Sequence, residues 1–247
     1  MWYLRNANIP AGEVHVWHAK LDLTAWNLAD QRAILSPDEQ QRADRFHHSV
    51  DKARYTIAHG LLRILLSSYA GCDPARLRFR STRSGKPALC EPQSATRFHF
   101  SISHSGDLFT CAVTSGGEIG IDIEQVRSDI DFDAIARRFF SLKEAALLNR
   151  LHAQEKEDTF FALWTCKEAI AKALGTGLSL ELGDCDVALP PTAGTVTVCT
   201  GHSKWHLMRV PLAVGYAAAI AVASESSDLR VHHFEVHPSS VDPYPRP

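Results

Sequence analysis

The chain has 247 residues, of which 45% are hydrophobic and 22% charged, and its formal net charge is −2. These values exclude an intrinsically disordered chain and fit one large domain or two small ones. No stretch reaches the roughly 18 apolar residues of a membrane helix, and the N-terminus lacks the basic and apolar regions of a signal peptide. We therefore expect a cytoplasmic protein that makes no contact with membranes.

The first half of the chain predicts an α+β unit. Ser36 followed by proline and two acidic residues predicts the start of a helix. A longer apolar helix should follow and end at Gly71, and the runs FHFSIS and LFTCAVT indicate two strands joined by a turn. The predicted elements are a strand at 15–23, a helix from Ser36, a helix at 50–70, and strands at 98–103 and 108–114.

The second half predicts the same mixture of elements. The run EIGIDIE indicates a strand, and four further β-rich runs lie near the C-terminus before the proline-rich sequence VDPYPRP. The predicted elements are a strand at 118–124, helices at 131–139, 141–152 and 157–174, and strands at 196–200, 206–210, 215–223 and 229–236.

A weak internal repeat relates the two halves. Ala58–Gly71 and Ala162–Gly175 are apolar helical stretches of equal length that end in glycine, and Arg63 and Lys167 occupy matching positions. Few residues are identical, so chance similarity is the alternative. The repeat predicts two similar α+β halves, a pseudo-dimer of two small antiparallel sheets packed with helices. The predicted divisions are 1–117, 118–223, and a C-terminal strand and tail at 224–247.

Charge is distributed unevenly between these halves. Residues 31–86 sum to +6 and residues 118–168 to −4. Solvated helix faces would produce this pattern, and so would a basic half that binds a polyanion beside an acidic half that binds a metal. Charge alone favours the first explanation.

The cysteines match no zinc module and include no CxxC pair. Their even number allows disulfides, but the absence of an export signal favours reduced, mostly buried thiols. They lie at positions 72, 90, 111, 166, 185 and 199.

Two carboxylates share one face of the strand EIGIDIE. Because side chains alternate along a strand, Gly120, Asp122 and Glu124 point away from the isoleucines. Adjacent carboxylates repel unless a cation binds or one is protonated. Oxygen ligands without a cysteine pair favour Mg²⁺, although an exposed strand edge with solvated acids explains the pattern equally well.

Glu168 and Lys172 lie one helical turn apart in the segment WTCKEAIAK. An ordinary surface ion pair is one explanation, and a third carboxylate with a cation beside a phosphate-binding metal site is the other. Ser103 and His104 end a predicted strand, where a hydroxyl and an imidazole could bind phosphate. A Ser-His hydrolase is disfavoured because no GxSxG motif surrounds any serine.

Together and in this order, these segments resemble the phosphopantetheinyl transferases of the surfactin-synthetase-activating type. The resemblance covers residue 36 to about Ala223, and the length resembles the monomeric members with two halves. Upstream it includes Ser36, Arg42, Arg45 and Arg54. The matching segments are GKP (85–87), FSISHS (100–105), GIDIE (120–124), RFFS (138–141), WTCKEAIAK (164–172) and GTGLS (175–179).

The resemblance implies a site in the cleft between the halves and a reaction on coenzyme A. Asp122, Glu124 and Glu168 would hold Mg²⁺, or Mn²⁺, while Glu168 and Lys172 would take part in catalysis. The remaining implied contacts, to coenzyme A, are Arg42, Arg45, Arg54, Lys86, Ser103 and His104. The second substrate would be an apo acyl or peptidyl carrier protein, and no nucleic acid is expected.

The sequence departs from the family at Glu39, where relatives often place a lysine. Contacts between that helix and coenzyme A are therefore in question, except for the contact of Arg42. Two other functions are open: a different Mg²⁺-dependent transferase, which would lack the usual GxxxxGK[ST] motif, and a non-catalytic module that binds coenzyme A or a carrier.

Overall fold

The computed structural model of the protein describes residues 9–82, 85–92, 97–176, 186–187, 195–200, 203–224 and 229–240. The strands are β1 (Glu13–Lys20), β2 (Arg78–Ser81), β3 (Pro87–Glu91), β4 (His99–Ser105), β5 (Leu108–Thr114), β6 (Ile119–Gln125), β7 (Thr195–Thr200), β8 (Ser203–Arg209), β9 (Tyr216–Val222) and β10 (Arg230–Glu235). The helices are α1 (Leu28–Ala33), α2 (Pro37–Asp44), α3 (Ser49–Ala70), α4 (Phe132–Phe139), α5 (Leu142–Leu148) and α6 (Ala153–Leu174).

The strands form two four-stranded sheets and a hairpin. The first sheet has the order β10-β1-β5-β4, the second has the order β6-β9-β8-β7, and β2 pairs with β3. Among the described strands every pairing is antiparallel except that of β10 with β1, which is parallel. The first sheet is therefore mixed rather than purely antiparallel. The chain returns from the second half to add this parallel edge strand, and the long connection between β1 and β10 is what permits parallel pairing.

The two halves share one arrangement of strands and helix. In the first half β1 pairs with β5, and β5 pairs with β4. In the second half β6 pairs with β9, and β9 pairs with β8, so the order of the strands is the same. Helices α3 and α6 both have 22 residues and end at left-handed glycines, Gly71 and Gly175. The prediction of two similar α+β halves is confirmed.

Each half also contains a buried cation paired with a capping glutamate. Glu39 closes a capping box with Ser36 at the start of α2, and its Oε2 lies 2.7 Å from an Arg63 nitrogen. In the second half Glu144 closes the equivalent box with Ser141, and Lys167 Nζ lies 2.8 Å from its Oε2. The matched basic residues of the sequence repeat are therefore the buried partners of two equivalent glutamates.

Three apolar clusters fix the order of layers. The first lies between α3 and the first sheet, and the second lies between α6 and the second sheet. The third joins the two sheets and includes Val14 and Val16 from β1 with the three isoleucines of β6. The order of layers is helix, sheet, sheet, helix, and the cleft described below lies beside β4 and β6.

Some boundaries differ from those predicted. Helix α1 was not predicted, because six residues are too few to show a period, although Asn27 caps it through the backbone N–H of Ala29. Helix α5 ends at Leu148 instead of residue 152, and α6 begins at Ala153 instead of 157, since the polar first turn of α6 lacks apolar periodicity.

Four cysteines are free thiols: Cys111 and Cys166 are buried, Cys72 is half-buried, and Cys90 is exposed. The expectation of buried thiols is thus met only in part. Cys185, the side chain of Cys199, Ser84 and the segment 177–179 lie outside the described residues. No helix in the described part of the chain is long and apolar enough to cross a membrane.

Candidate active site

A cleft of about 1110 Å³ opens between the two halves. Of the implied metal, catalytic and coenzyme A residues, the first half contributes Arg42, Ser103 and His104 to its lining, and the second contributes Asp122, Glu124, Glu168 and Lys172. The structure therefore brings the acidic residues of the second half to the same cavity as basic and hydroxyl groups of the first.

Close packing of β6 against α6 brings two of the carboxylates together. A Cβ on Gly120 would collide with the carbonyl oxygen of Ala169 and would lie 2.6 Å from the backbone nitrogen of Ala173. Only glycine permits this approach of the strand to the helix backbone. Asp122 then follows on the same face of β6, opposite Glu168 on α6.

Asp122 has one oxygen engaged and one without a partner. Its Oδ1 lies 2.7 Å from Lys172 Nζ and accepts a hydrogen bond from Ser103 at 2.9 Å, while Lys172 also donates to Ser103 at 2.8 Å. Its Oδ2 is buried without a hydrogen-bond partner. A buried carboxylate oxygen without a partner is unfavourable unless another ligand can bind it.

Glu168 also has a carboxylate oxygen without a partner, because its Oε1 is buried and forms no hydrogen bond. Burial, followed by the negative charge of Asp122, raises the pKa of Glu168 to about 7, although Lys172 opposes the shift. A carboxyl group that titrates near neutral pH can exchange protons under physiological conditions.

Glu124 is half-buried beside these groups. Its Oε2 accepts a hydrogen bond from Ser105 at 2.8 Å. Burial and the charge of Asp122 raise the pKa of Glu124, whereas Ser105, Lys172 and Trp164 lower it. The three carboxylates therefore interact electrostatically within one cleft.

These residues fit a hard divalent cation by their chemistry. Among the described residues no group of three or more His, Cys, Asp or Glu side chains stands in metal-binding geometry. Lys172 lies against Asp122 instead and supplies the positive charge. The two orphaned carboxylate oxygens are nevertheless the donor type that Mg²⁺ prefers.

The predicted arginines occupy different environments. Arg42 is exposed and lines the cleft, with its guanidinium carbon 5.8 Å from the centre of the Tyr55 ring. Arg54 is half-buried and its Nε has no hydrogen-bond partner. Arg45 is exposed outside the cleft lining and donates to Gln41 at 3.2 Å.

The pKa values of Lys86 and His104 are both lowered by burial and by the charge of Lys172. Lys86 Nζ donates to the carbonyl oxygen of Ile119 at 2.9 Å, across the boundary between the halves. Burial lowers the pKa of Lys86, against the opposing effect of Glu118. His104 is exposed to the cleft, and desolvation by the surrounding protein, then the charges of Lys172, His59 and Arg54, lower its pKa. A neutral His104 is thus favoured.

The structure explains the departure at Glu39. Burial alone would raise its pKa, but His59 and Arg63 outweigh burial and lower the pKa of Glu39 to about 2. Glu39 is therefore an ionised partner of Arg63 at the cleft wall. Sequence reasoning missed Arg78 and Arg80, which also line the cleft; their alternation on β2 about Phe79 could have placed them on one face.

Comparison with known proteins covers nearly the whole chain. The profile of the 4′-phosphopantetheinyl transferase superfamily matches residues 118–221, and that of the 4′-phosphopantetheinyl transferase N-terminal region matches residues 21–116. A solved holo-[acyl-carrier-protein] synthase from Thermotoga maritima aligns with 44% of this chain and 64% of its own at 22% identity, but its TM-score of 0.35 is too low to establish a shared fold.

Two curated relatives align over most of their length. The 4′-phosphopantetheinyl transferase HetI of Nostoc is 35% identical over 93% of this chain and 95% of its own. The 4′-phosphopantetheinyl transferase Sfp of Bacillus subtilis is 33% identical over 77% of this chain and 83% of its own. Matches of this extent, on a fold of two α+β halves with acidic and basic groups facing one cleft, place the chain in the 4′-phosphopantetheinyl transferase family.

Proposed function

We propose how individual residues of this chain perform the reaction of its family. That reaction transfers the 4′-phosphopantetheine arm of coenzyme A to a serine of an apo carrier protein and releases adenosine 3′,5′-bisphosphate. The observation that carries the proposal is the pair of buried, unpartnered oxygens on Asp122 and Glu168, which lie beside the Lys172 ammonium in the cleft.

Coenzyme A binds against the first half of the cleft in this proposal. Arg42 and His104 line it, and the half-buried Arg54 influences the charge of His104. His104 would contact phosphate as a neutral hydrogen-bond donor. The full set of proposed contacts is Arg42, Arg45, Arg54, Lys86, Ser103 and His104, of which Arg45, Arg54 and Lys86 lie outside the cleft lining.

Asp122, Glu124 and Glu168 would hold Mg²⁺, with Mn²⁺ as a substitute. When bound, the cation would supply positive charge that offsets the negative charge of the transferring phosphoryl group. The unpartnered Oδ2 of Asp122 would take the cation, and the added positive charge beside Oδ1 would weaken the hold of Asp122 on Lys172. Lys172 would then be free to approach the pyrophosphate.

Two side chains act on the reacting atoms. The hydroxyl oxygen of the carrier serine attacks the β-phosphorus, and the bond from that phosphorus to the bridging oxygen breaks. Glu168 accepts the serine proton, a role that suits a carboxylate with a pKa near 7. Lys172 stabilises the negative charge that develops on the pyrophosphate.

The remaining features of the proposal concern the whole chain. It acts as a cytoplasmic monomer without nucleic acid or membrane, and its divisions are residues 1–117, which bind the donor, and 118–223, which bind metal. Residues 224–247 form the C-terminal strand and tail. The proposed metal and catalytic residues line one cleft of a single chain, which supports action as a monomer.

Intact-mass analysis tests the proposal. Apo carrier proteins incubated with this protein, coenzyme A and Mg²⁺ should gain one phosphopantetheine group. Substitution of Lys172 by Ala should lower kcat by about 10²–10³-fold with a smaller change in KM, because the charge it stabilises is greatest in the transition state. Lys156→Ala on the same helix is the control, since Lys156 pairs with Asp133 and lies outside the cleft lining. Donor binding without any mass gain would instead indicate a non-catalytic module.

A further inference from the structure

The two halves meet along a row of serine hydroxyls. Strands β4 and β6 are edge strands of different sheets and lie side by side. Ser101, Ser103 and Ser105 alternate along β4 and therefore share one face, and all three hydroxyls form hydrogen bonds with β6. Side chains thus make the polar contacts that backbone groups make between strands of one sheet.

The outer two serines contact the backbone of β6 in the same way. Ser101 Oγ accepts a hydrogen bond from the backbone N–H of Ile121 at 3.1 Å. Ser105 Oγ accepts one from the backbone N–H of Gln125, also at 3.1 Å. These bonds hold the strands in register, and they are the feature that the two residues share.

Ser105 makes one contact in addition. Its hydroxyl donates to Glu124 Oε2 at 2.8 Å. A serine hydroxyl has a single proton, and the bond accepted from Gln125 uses one of its two lone pairs. The backbone therefore fixes the oxygen, and the proton is directed at the carboxylate.

We propose that Ser105 is a positioning residue that orients Glu124 for metal binding. This inference rests on the proposed function, in which Glu124 is a metal ligand. Glu124 has several rotatable bonds and is only half-buried, so its carboxylate needs an external contact to define its direction. Ser105 provides such a contact from the opposite half, in addition to the Trp164 side chain of the second half, so the first half helps to build the metal site without contributing a ligand.

Partners that orient metal ligands commonly contribute 10–100-fold to metal affinity. Ser105→Ala should therefore weaken Mn²⁺ binding to the donor-free protein by about tenfold, measured by electron paramagnetic resonance of free Mn²⁺. Ser105→Thr retains the hydroxyl and should restore the affinity. In the transferase assay, the Mg²⁺ concentration for half-maximal rate should rise for Ser105→Ala, and excess Mg²⁺ should recover most of the rate.

Ser101→Ala is the matched control. It removes the same type of bond to the β6 backbone but touches no carboxylate, so it should lower the melting temperature while leaving Mn²⁺ affinity unchanged. Unaltered Mn²⁺ affinity of Ser105→Ala, an equal loss for Ser101→Ala, or failure of threonine to rescue would each overturn the positioning role. If the unsubstituted protein binds no Mn²⁺, or if Glu168→Gln binds it equally well, the proposed metal site itself fails and the inference fails with it.

Discussion

At the scale of single residues, the pKa values of two half-buried glutamates are shifted in opposite directions. The pKa of Glu39 is lowered to about 2 by His59 and Arg63, so its stabilising contribution is present above its ordinary pKa and is lost as the pH falls toward 2. Burial raises the pKa of Glu168 to about 7. The stability associated with its protonated form is therefore complete below about 4.5 and is lost as the pH rises through 7.

We expect Glu168→Gln to stabilise the donor-free, metal-free protein at pH 8, because glutamine never ionises at this half-buried position. The free energy of unfolding should rise by about 2 kcal/mol at pH 8 and change little near pH 4.5. Thermal unfolding followed by circular dichroism at both pH values measures this difference. Added Mg²⁺ should stabilise the unsubstituted protein at pH 8 but not the variant; a variant that is less stable at pH 8 would show that ionised Glu168 is already compensated.

At the scale of elements, the site depends on how closely β6 packs against α6. Gly120→Ala places a methyl group against backbone atoms of α6, which cannot rotate away as a side chain could. We expect a loss of about 2–3 kcal/mol in unfolding free energy, the scale of overpacking in a core. Mn²⁺ affinity should fall as well, because the strand that carries Asp122 moves away from the helix that carries Glu168.

Gly116→Ala is the control for this prediction. Gly116 also lies close to β6, but an added Cβ would meet only the Thr114 hydroxyl oxygen, at 3.5 Å, which is an ordinary contact. Chemical denaturation of both variants, together with Mn²⁺ titration, separates the effects. A Gly120→Ala protein with normal stability and affinity would mean that the packing of β6 on α6 does not position the carboxylates.

The elements that the sequence predicted well are those with a local signal. Helix α3 and strand β6 carry long periodic patterns, and the Ser36-Pro37 pair marks the start of α2. The partners of Arg63 and Lys167 could not be predicted, because each glutamate lies more than 20 residues away along the chain. The Ser105–Glu124 bond was missed for the same reason, since it requires knowing that β4 and β6 are neighbours.

At the scale of the whole molecule, the chain crosses between its halves twice. After the second sheet it returns to the first, where β10 pairs with β1. Phe234 on β10 stacks on Trp17 of β1 with ring centres 4.3 Å apart. No local pattern indicated this return, because the sequence of β10 specifies a strand but not its neighbour. The third apolar cluster buries side chains of both sheets against each other, so we expect the halves to unfold together.

Removal of β10, by ending the chain at residue 224, should therefore lower stability without dismantling the cleft. β10 and β4 lie at opposite edges of the first sheet, so the loss exposes the edge of β1 far from the strand that lines the site. Phe234→Ala is a smaller change to the same strand, and it should lower the free energy of unfolding by about 1–2 kcal/mol because the aromatic stack is lost. Each kcal/mol corresponds to roughly 2–4 °C in melting temperature for a chain of this size.

Differential scanning calorimetry and the mass-based transferase assay at low temperature measure the two consequences separately. We expect a single unfolding transition at a lower temperature for the shortened chain, and a kcat close to that of the full chain while the protein remains folded. Leu142→Ala, at a side chain that is 90% exposed, controls for loss of an apolar residue without loss of packing. Two separate transitions would show that the halves unfold independently. The apolar cluster shared by the two sheets would then contribute little to cooperative unfolding.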